Sequence, residues 1–388
     1  MVLGTGLQGK AVLHDLESND LITDIVAADI EISEVEAYLR PTGARKTKCV
    51  SVDASCEAEL SQLLQSEQPD IVICMLPPSL GYLVAKVALS AKIHYVSSSY
   101  TGQISKLDRE AHRKGIIILP EMGMDPGIDL ILGQLAVHEV DEVRSLYFYG
   151  GGIPEPACAD QNPLHYKITW SFDGVLKAYN RPARLLKNEQ TLDLPASEIF
   201  REEHLHHLNI PSVGRLEAFP NGDALKYIKL YSLGPALKNI GRYSIRWPGH
   251  SQFWQVMADL GFLEDKPLIS SETRTTPHQF LVDHLTPRLQ FHQTERDVVV
   301  VRIVAHGVRQ KKQVTVTCDL IDYRDLKTGL FAMNRTVGFT ASIAALMILN
   351  GEIKKSGVLS PAVHVPPDQF FDKLATRGMK FQKQVHQK

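Results

Sequence analysis

Cysteine is scarce in this chain of 388 residues: five in all, Cys49, Cys56, Cys74, Cys158 and Cys318, with no CxxC pair. That excludes a disulfide-stapled scaffold and a cysteine zinc ribbon. It leaves reduced thiols acting as packing groups, the pattern expected of the cytoplasm. No unbroken apolar run approaches the roughly 20 residues that a membrane span needs. Net charge is −2 and no long basic run occurs, so neither nucleic acid nor an anionic membrane surface is an expected partner. No cationic segment opens the chain, and Gly4 and Gly6 interrupt its first apolar residues, so a signal peptide is not expected. Repeats and low-complexity tracts are missing too. The one histidine cluster, His204, His206 and His207, has a spacing that matches no common zinc pattern. It reads as a polar helix or loop face, and no metal is expected.

What remains is the composition of a globular protein, 44% hydrophobic and 22% charged, long enough for two domains. The first part alternates. Short apolar runs at Met1–Leu3, Ile25–Ala28, Lys48–Val52, Asp70–Met75, His94–Val96 and Ile116–Leu119 read as buried strands. Segments of helical spacing at Lys10–Leu16, Glu57–Gln65, Gly81–Ser90 and Ile104–Lys114 separate them. Apolar strands without alternation, joined by helices, predict a parallel sheet covered on both faces.

The opening residues, MVLGTGLQGK, place Gly4, Gly6 and Gly9 between the first strand and the first helix. G-x-G-x-x-G alone is a weak signal, but the strand and helix around it supply its context. Asp29 ends the second strand, 20 positions after Gly9, the spacing of a dinucleotide fingerprint. Leu7 and Gln8 complete the phosphate turn, where a helix N-terminus offers free N–H groups. Asp29 suits ribose hydroxyls and repels a 2′-phosphate, and Ile30 and Glu31 supply no Arg. NAD is therefore expected over NADP. Leu76, Pro77, Ser98 and Met124 follow strand ends on the cofactor side and are expected to line it.

After Pro120 the texture changes. The segments SLYFYGG, YKITWSF, ALKYIKLYSL, GRYSIRW, DVVVVRIVAHG and QVTVTCDLI read as β-strands, several with period-two alternation. They predict a mainly antiparallel sheet in an α+β substrate domain. TVGFTASIAALMILNG, Thr336 to Gly351, reads as an apolar helix too short and interrupted for a membrane span, returning to the first domain. The expected organisation is α/β overall: a Rossmann domain over 1–124, an inserted substrate domain over 125–330, and a helical C-terminal segment over 331–388.

One run after another then matches a known family. MGMDPGIDLILG (Met122 to Gly133), VAKVALSAKIHYVSSSY, GGIPEP, NPLHYKITWS, LEAFPNGDALKY and AMNRTVGFTASIAALMILNGEI resemble segments of the saccharopine dehydrogenase family, and they cover nearly the whole chain. The resemblance implies oxidation of a carbon bearing an amine, with hydride passing to NAD(P), and often a homodimer. The first reading within it is formation of glutamate from saccharopine; lysine 6-dehydrogenase and carboxynorspermidine dehydrogenase are the alternatives, and a non-catalytic NAD-binding regulator the remaining one.

Carried over position by position, the resemblance gives Tyr100 and Asp125 as active-site residues and Arg246 as the ligand of a substrate carboxylate. Lys167, Arg242 and Asn221 are further substrate candidates. Each has a plainer reading: Asp125 as a turn or cap before Pro126, Tyr100 as a packing group, the cations as surface ion pairs, and Asn221 as a turn residue. One departure stands out. Where the family has Pro-Asn-Arg-Asp-Ser, this chain has Pro220-Asn221-Gly222-Asp223-Ala224, so one cationic contact is missing.

Overall fold

The computed structural model describes residues 1–267 and 275–387. The chain divides into two compact units, Met1–Gln134 with Asn334–Lys380, and Leu135–Met333 with Phe381–Lys388.

The first unit is built on a seven-stranded sheet. Its strands run in the order Gly357–Val358, Ile117–Leu119, His94–Ser97, Ile71–Cys74, Val2–Leu3, Ile25–Asp29 and Thr47–Ser51. Every pairing is parallel. Parallel strands need helical crossovers, and the helices Leu7–Glu17, Glu57–Glu67 and Gly81–Ser90 supply three of them. Strand residues such as Val72, Cys74 and Tyr95 pack in one core with Leu60, Leu64, Val84 and Ala88 from these helices. This is why the inner strands lack alternation: their residues are buried on both faces, whereas the edge strand Thr47–Ser51 is half-buried or exposed. The expected Ile104–Lys114 helix divides into a tight 3₁₀ segment, Gly102–Leu107, and an α-helix, Asp108–Lys114.

The second unit carries a nine-stranded mixed sheet. Its main path runs His206–Ile210, Gly214–Pro220, Asn239–Arg246, Glu142–Pro154, Asp297–Arg309, Lys312–Tyr323 and Phe381–Gln387. Only the pairing of Asn239–Arg246 with Glu142–Pro154 is parallel along that path. Two expected strands take other forms. Tyr166–Ser171 is a loop and Phe172 starts a helix, because the Asn162 side chain binds the backbone N–H of Leu164 and Tyr166 and the carbonyl of Tyr166, competing with a ladder. ALKYIKLYSL forms the helix Lys226–Leu230. Asp223 accepts from the Leu225 N–H at its start, and Ala224 and Tyr227, three apart, face the core.

The apolar helix spans Ala332–Leu349. At 18 residues it is long and apolar enough to cross a membrane, contrary to the expectation from its interruptions, yet 83% of that stretch is buried within the protein. The C-terminal segment also departs from the expected boundaries. Asn334–Lys380 belongs to the first unit, whereas Phe381–Gln387 adds an antiparallel strand to the second sheet.

Candidate active site

In the first unit, the glycine turn leads from the Val2–Leu3 strand into the Leu7–Glu17 helix, with Gly6 at the N-cap. A Cβ on Gly9 would stand 2.0 Å from the Gly4 carbonyl oxygen, so helix and strand approach closely only with glycine there. A Cβ on Gly6 would meet nothing within 4 Å. The helix N-terminus is therefore open to an anion, and the turn fits a dinucleotide pyrophosphate. Leu7 is exposed, Gln8 half-buried and Gly9 buried.

Asp29 does more than end its strand. Its carboxylate accepts from the Thr5 N–H at 2.6 Å, the Thr5 hydroxyl at 3.2 Å and the Ile30 N–H at 2.8 Å. The acidic residue thus braces the glycine turn from the neighbouring strand. Leu76 and Pro77 follow the Ile71–Cys74 strand; Ser98 follows His94–Ser97.

Tyr100 and Asp125 follow adjacent parallel strands, His94–Ser97 and Ile117–Leu119. Two backbone bonds tie the segments beyond those strands together: Glu121 N–H to the Ser99 carbonyl, 2.9 Å, and Met122 N–H to the Ser97 carbonyl, 2.8 Å. The Glu121 carboxylate also accepts from the Thr101 N–H. Both residues are half-buried at the carboxyl edge of the sheet, where α/β folds bind ligands. Met124 is buried beside Asp125. Gly127 has φ +145°, and a Cβ there would stand 2.1 Å from the Gly123 carbonyl oxygen. The turn that carries Asp125 is closed at this contact.

In the second unit, Arg242 and Arg246 lie on one strand, Asn239–Arg246. Four residues apart, their side chains leave the same face, with Cα atoms roughly 13 Å from each other. Both are buried. Arg246 stands among aromatic rings, 5.3 Å from Tyr166, 5.9 Å from Tyr179 and 6.0 Å from Phe219. Its Nε donates to the Tyr179 hydroxyl at 3.2 Å and its Nη1 to the Ile245 carbonyl at 2.8 Å. No carboxylate among the described residues pairs with it. Glu217, directly opposite on the neighbouring strand, instead accepts from the N–H groups of Gly249 and Ser251. A buried guanidinium without a counter-ion is costly. The hydroxyls of Tyr166 and Ser251 and the indole N–H of Trp254 are also buried without a partner among the described residues.

Lys167 stands elsewhere. It forms a buried ion pair with Glu295 at 2.6 Å and donates to Gln161 at 3.1 Å. Burial pulls the Glu295 carboxyl upward, but the Lys167 bond and the His292 N–H outweigh it and hold the group below its ordinary value. Asn221 donates to the Ser244 hydroxyl at 2.9 Å and accepts from Arg181 at 3.5 Å. A Cβ at Gly222 would stand 3.8 Å from Nη1 of Arg242. The Arg242 guanidinium thus lies beside the position at which the family's arginine is replaced. His206 stacks on Tyr243 at 4.2 Å and bonds the Tyr149 hydroxyl at 2.8 Å. Burial, with the Lys187 charge nearby, lowers its pKa to about 4.

Tyr179 and His250 carry no signal in the sequence. Tyr179 meets Arg246 across 67 positions, and nothing in the spacing of either stretch announces the contact.

Residues 1–119 match the family model of the saccharopine dehydrogenase NADP binding domain, and residues 123–379 that of the saccharopine dehydrogenase C-terminal domain. The chain is 28% identical over 426 residues to the mitochondrial alpha-aminoadipic semialdehyde synthase of Bos taurus, with 93% of the chain covered and 45% of the relative. It therefore spans about half the length of that protein. It is 27% identical to the saccharopine dehydrogenase (NADP(+), L-glutamate-forming) of Saccharomyces cerevisiae, with 93% of each covered. The apo structure of saccharopine dehydrogenase (L-Glu forming) from Saccharomyces cerevisiae superposes with a TM-score of 0.85 at 24% identity, covering 99% of both chains. The expectation of NAD meets a contrary indication in the NADP named for the matched domain and for the yeast relative.

Proposed function

We propose a function from one premise: the chain belongs to the saccharopine dehydrogenase family. The proposed reaction is oxidation of saccharopine to glutamate and 2-aminoadipate 6-semialdehyde, with reduction of a nicotinamide dinucleotide. The observation that carries this reading is Arg246, a buried guanidinium without a carboxylate partner among the described residues, on a strand face shared with Arg242. Two cations roughly 13 Å apart at their Cα atoms suit a substrate with carboxylates at both ends. Lysine, with one carboxylate, leaves the second cation unused.

A bound nicotinamide dinucleotide would supply the hydride acceptor. The Gly4–Gly9 turn and the helix N-terminus at Leu7 would hold its pyrophosphate, and Asp29 keeps that turn in place. We favour NAD, because Asp29 and Glu31 stand at the end of the second strand without an arginine to balance a 2′-phosphate. Leu76, Pro77, Ser98 and Met124 would line the bound dinucleotide.

The substrate amine must be deprotonated before its neighbouring carbon releases hydride. Asp125 takes that proton and Tyr100 holds the nitrogen. The resulting imine adds water, and a proton returned to nitrogen lets the C–N bond break, releasing glutamate as the amine and the semialdehyde as the carbonyl. Arg246 holds one carboxylate throughout. Arg242, with Asn221 beside it, holds another and takes the place of the arginine missing at Gly222. Lys167, closed in its pair with Glu295, supports the fold around the site.

The test is reduced-dinucleotide formation by the purified protein, with saccharopine and lysine at equal concentration and NAD and NADP in parallel. Saccharopine alone is expected to give a rate, and NAD the faster one. A rate with lysine alone would assign the protein to the lysine 6-dehydrogenases. Binding of NAD without turnover of either amine, or of carboxynorspermidine, would make it a non-catalytic dinucleotide binder.

A further inference from the structure

Arg246 does not stand in its aromatic surroundings unaided. Its Nε donates to the Tyr179 hydroxyl, and that hydroxyl is 2.7 Å from Nε2 of His250. All three residues are buried. The direction of this chain follows from the groups themselves. A guanidinium has only donors, so the Tyr179 oxygen accepts from it. The single hydroxyl hydrogen is then left for His250, whose Nε2 must be unprotonated to receive it.

The surroundings keep the ring neutral, as that direction requires. Burial, and then the Arg246 charge, hold the His250 pKa well below the ordinary value, while the Leu164 backbone is the ring's remaining hydrogen-bonding neighbour. His250 is also the first residue of the helix His250–Asp259, and Glu217 accepts from Gly249 N–H and Ser251 N–H on either side of it. The imidazole is thus fixed by its backbone as well as by its ring.

The geometry points to Tyr179 and His250 as positioning residues that set the plane of the Arg246 guanidinium, so that a substrate carboxylate meets the Nη1 and Nη2 end of the fork. Nε is taken by Tyr179 and one Nη1 hydrogen by the Ile245 carbonyl. Three N–H groups are left over, one on Nη1 and two on Nη2, so the terminal edge is where two nitrogens can still donate to one carboxylate. A carboxylate approaching there is bound by two parallel bonds, and rotation about the last side-chain bond would lose one of them. The inference rests on Arg246 being the carboxylate ligand proposed above.

The experiment compares KM for saccharopine in the intact protein, Tyr179→Phe, Arg246→Ala and the double variant, with NADH affinity measured for each. Tyr179→Phe is expected to raise KM about tenfold, the scale of one charge-assisted hydrogen bond, with kcat and NADH affinity unchanged. In the Arg246→Ala background the same change is expected to add nothing. An equal rise in both backgrounds would overturn the inference, as would no rise in the intact protein. If Arg246→Ala itself leaves KM unaltered, the reading of Arg246 is what falls. A second pair guards against a Tyr179→Phe variant that does not fold. His250→Gln keeps an acceptor for the tyrosine hydroxyl and is expected to retain a near-normal KM, whereas His250→Leu reproduces the tenfold rise. Equal KM values for the Gln and Leu variants would overturn the relay.

Discussion

In the first unit the groups suited to an anion are backbone amides at the Gly6–Leu7 turn, and in the second they are guanidinium side chains on the Asn239–Arg246 strand. The amides need no counter-charge and sit open to solvent. The guanidinium of Arg246 is buried and depends on Tyr179, at 3.2 Å, for its orientation. A turn of this kind recognises what every dinucleotide shares, its pyrophosphate. A buried cation on a rigid strand recognises where a carboxylate sits along one particular substrate. The first arrangement follows from local sequence, and the second only from tertiary assembly.

The sharpest way to break the contrast is Arg246→Ala. The KM for saccharopine is expected to rise by about tenfold to a hundredfold, the equivalent of roughly 1.5–3 kcal/mol for a bond to a charged group. Dinucleotide affinity should stay as it was, and an unchanged KM in steady-state kinetics would remove the cation from the comparison. On the other side, Gly9→Ala drives a methyl into the Gly4 carbonyl oxygen. A loss of about 1–3 kcal/mol in stability is expected by urea unfolding, together with weaker dinucleotide binding.

Buried charge in the second unit also makes a statement about pH. Asp297 is fully buried, and burial, with Asp322 adding to it, raises its pKa to about 7, against the pull of the Ala332 and Met333 N–H groups. A carboxyl raised in the folded state stabilises it while protonated. That contribution is complete below about pH 4, where the unfolded chain titrates, and is gone above about pH 7. Stability should therefore fall across that window by at most about 1.4 kcal/mol per pH unit, and the Asp297→Asn variant should show a flatter profile in unfolding measured at a series of pH values. The smallest effect is expected at Asp29→Ala. Losing the Thr5 bonds loosens the glycine turn and removes the charge facing a 2′-phosphate, so the ratio of kcat/KM for NAD over NADP should drop several-fold, within about 1 kcal/mol. An unaltered ratio would detach cofactor choice from this carboxylate.

Legibility followed the same division. The Gly81–Ser90 helix spans the residues its pattern indicates, and six of the seven parallel strands lie within a residue or two of the apolar runs; the seventh, Gly357–Val358, matches none of them. Their signals are local, since an apolar run between two crossovers has few other ways to be buried. The misread strands failed through competing side chains. Asn162 bonds its own loop, and Asp223 turns the chain at Leu225 just before a helix, and neither effect appears in hydrophobic period. At the candidate site, Gly4, Gly9 and Asp29 could be read together because the motif is short. Lys167 could not be read so, since its partner Glu295 lies 128 positions away. His250 and Tyr179 were hidden for the same reason: their importance exists only in three-dimensional contact with Arg246.

The strand Phe381–Gln387 pairs along Lys312–Tyr323 after the chain has already completed Asn334–Lys380 in the first unit. The second unit is therefore not a contiguous piece of chain. A fragment cut as 135–333 would leave Lys312–Tyr323 as a bare edge of twelve residues, with unpaired N–H and C=O groups ready to recruit another copy. Anyone expressing that unit alone should fuse the last strand back through a short linker, or expect filaments and precipitate where the intact chain gives a single sheet.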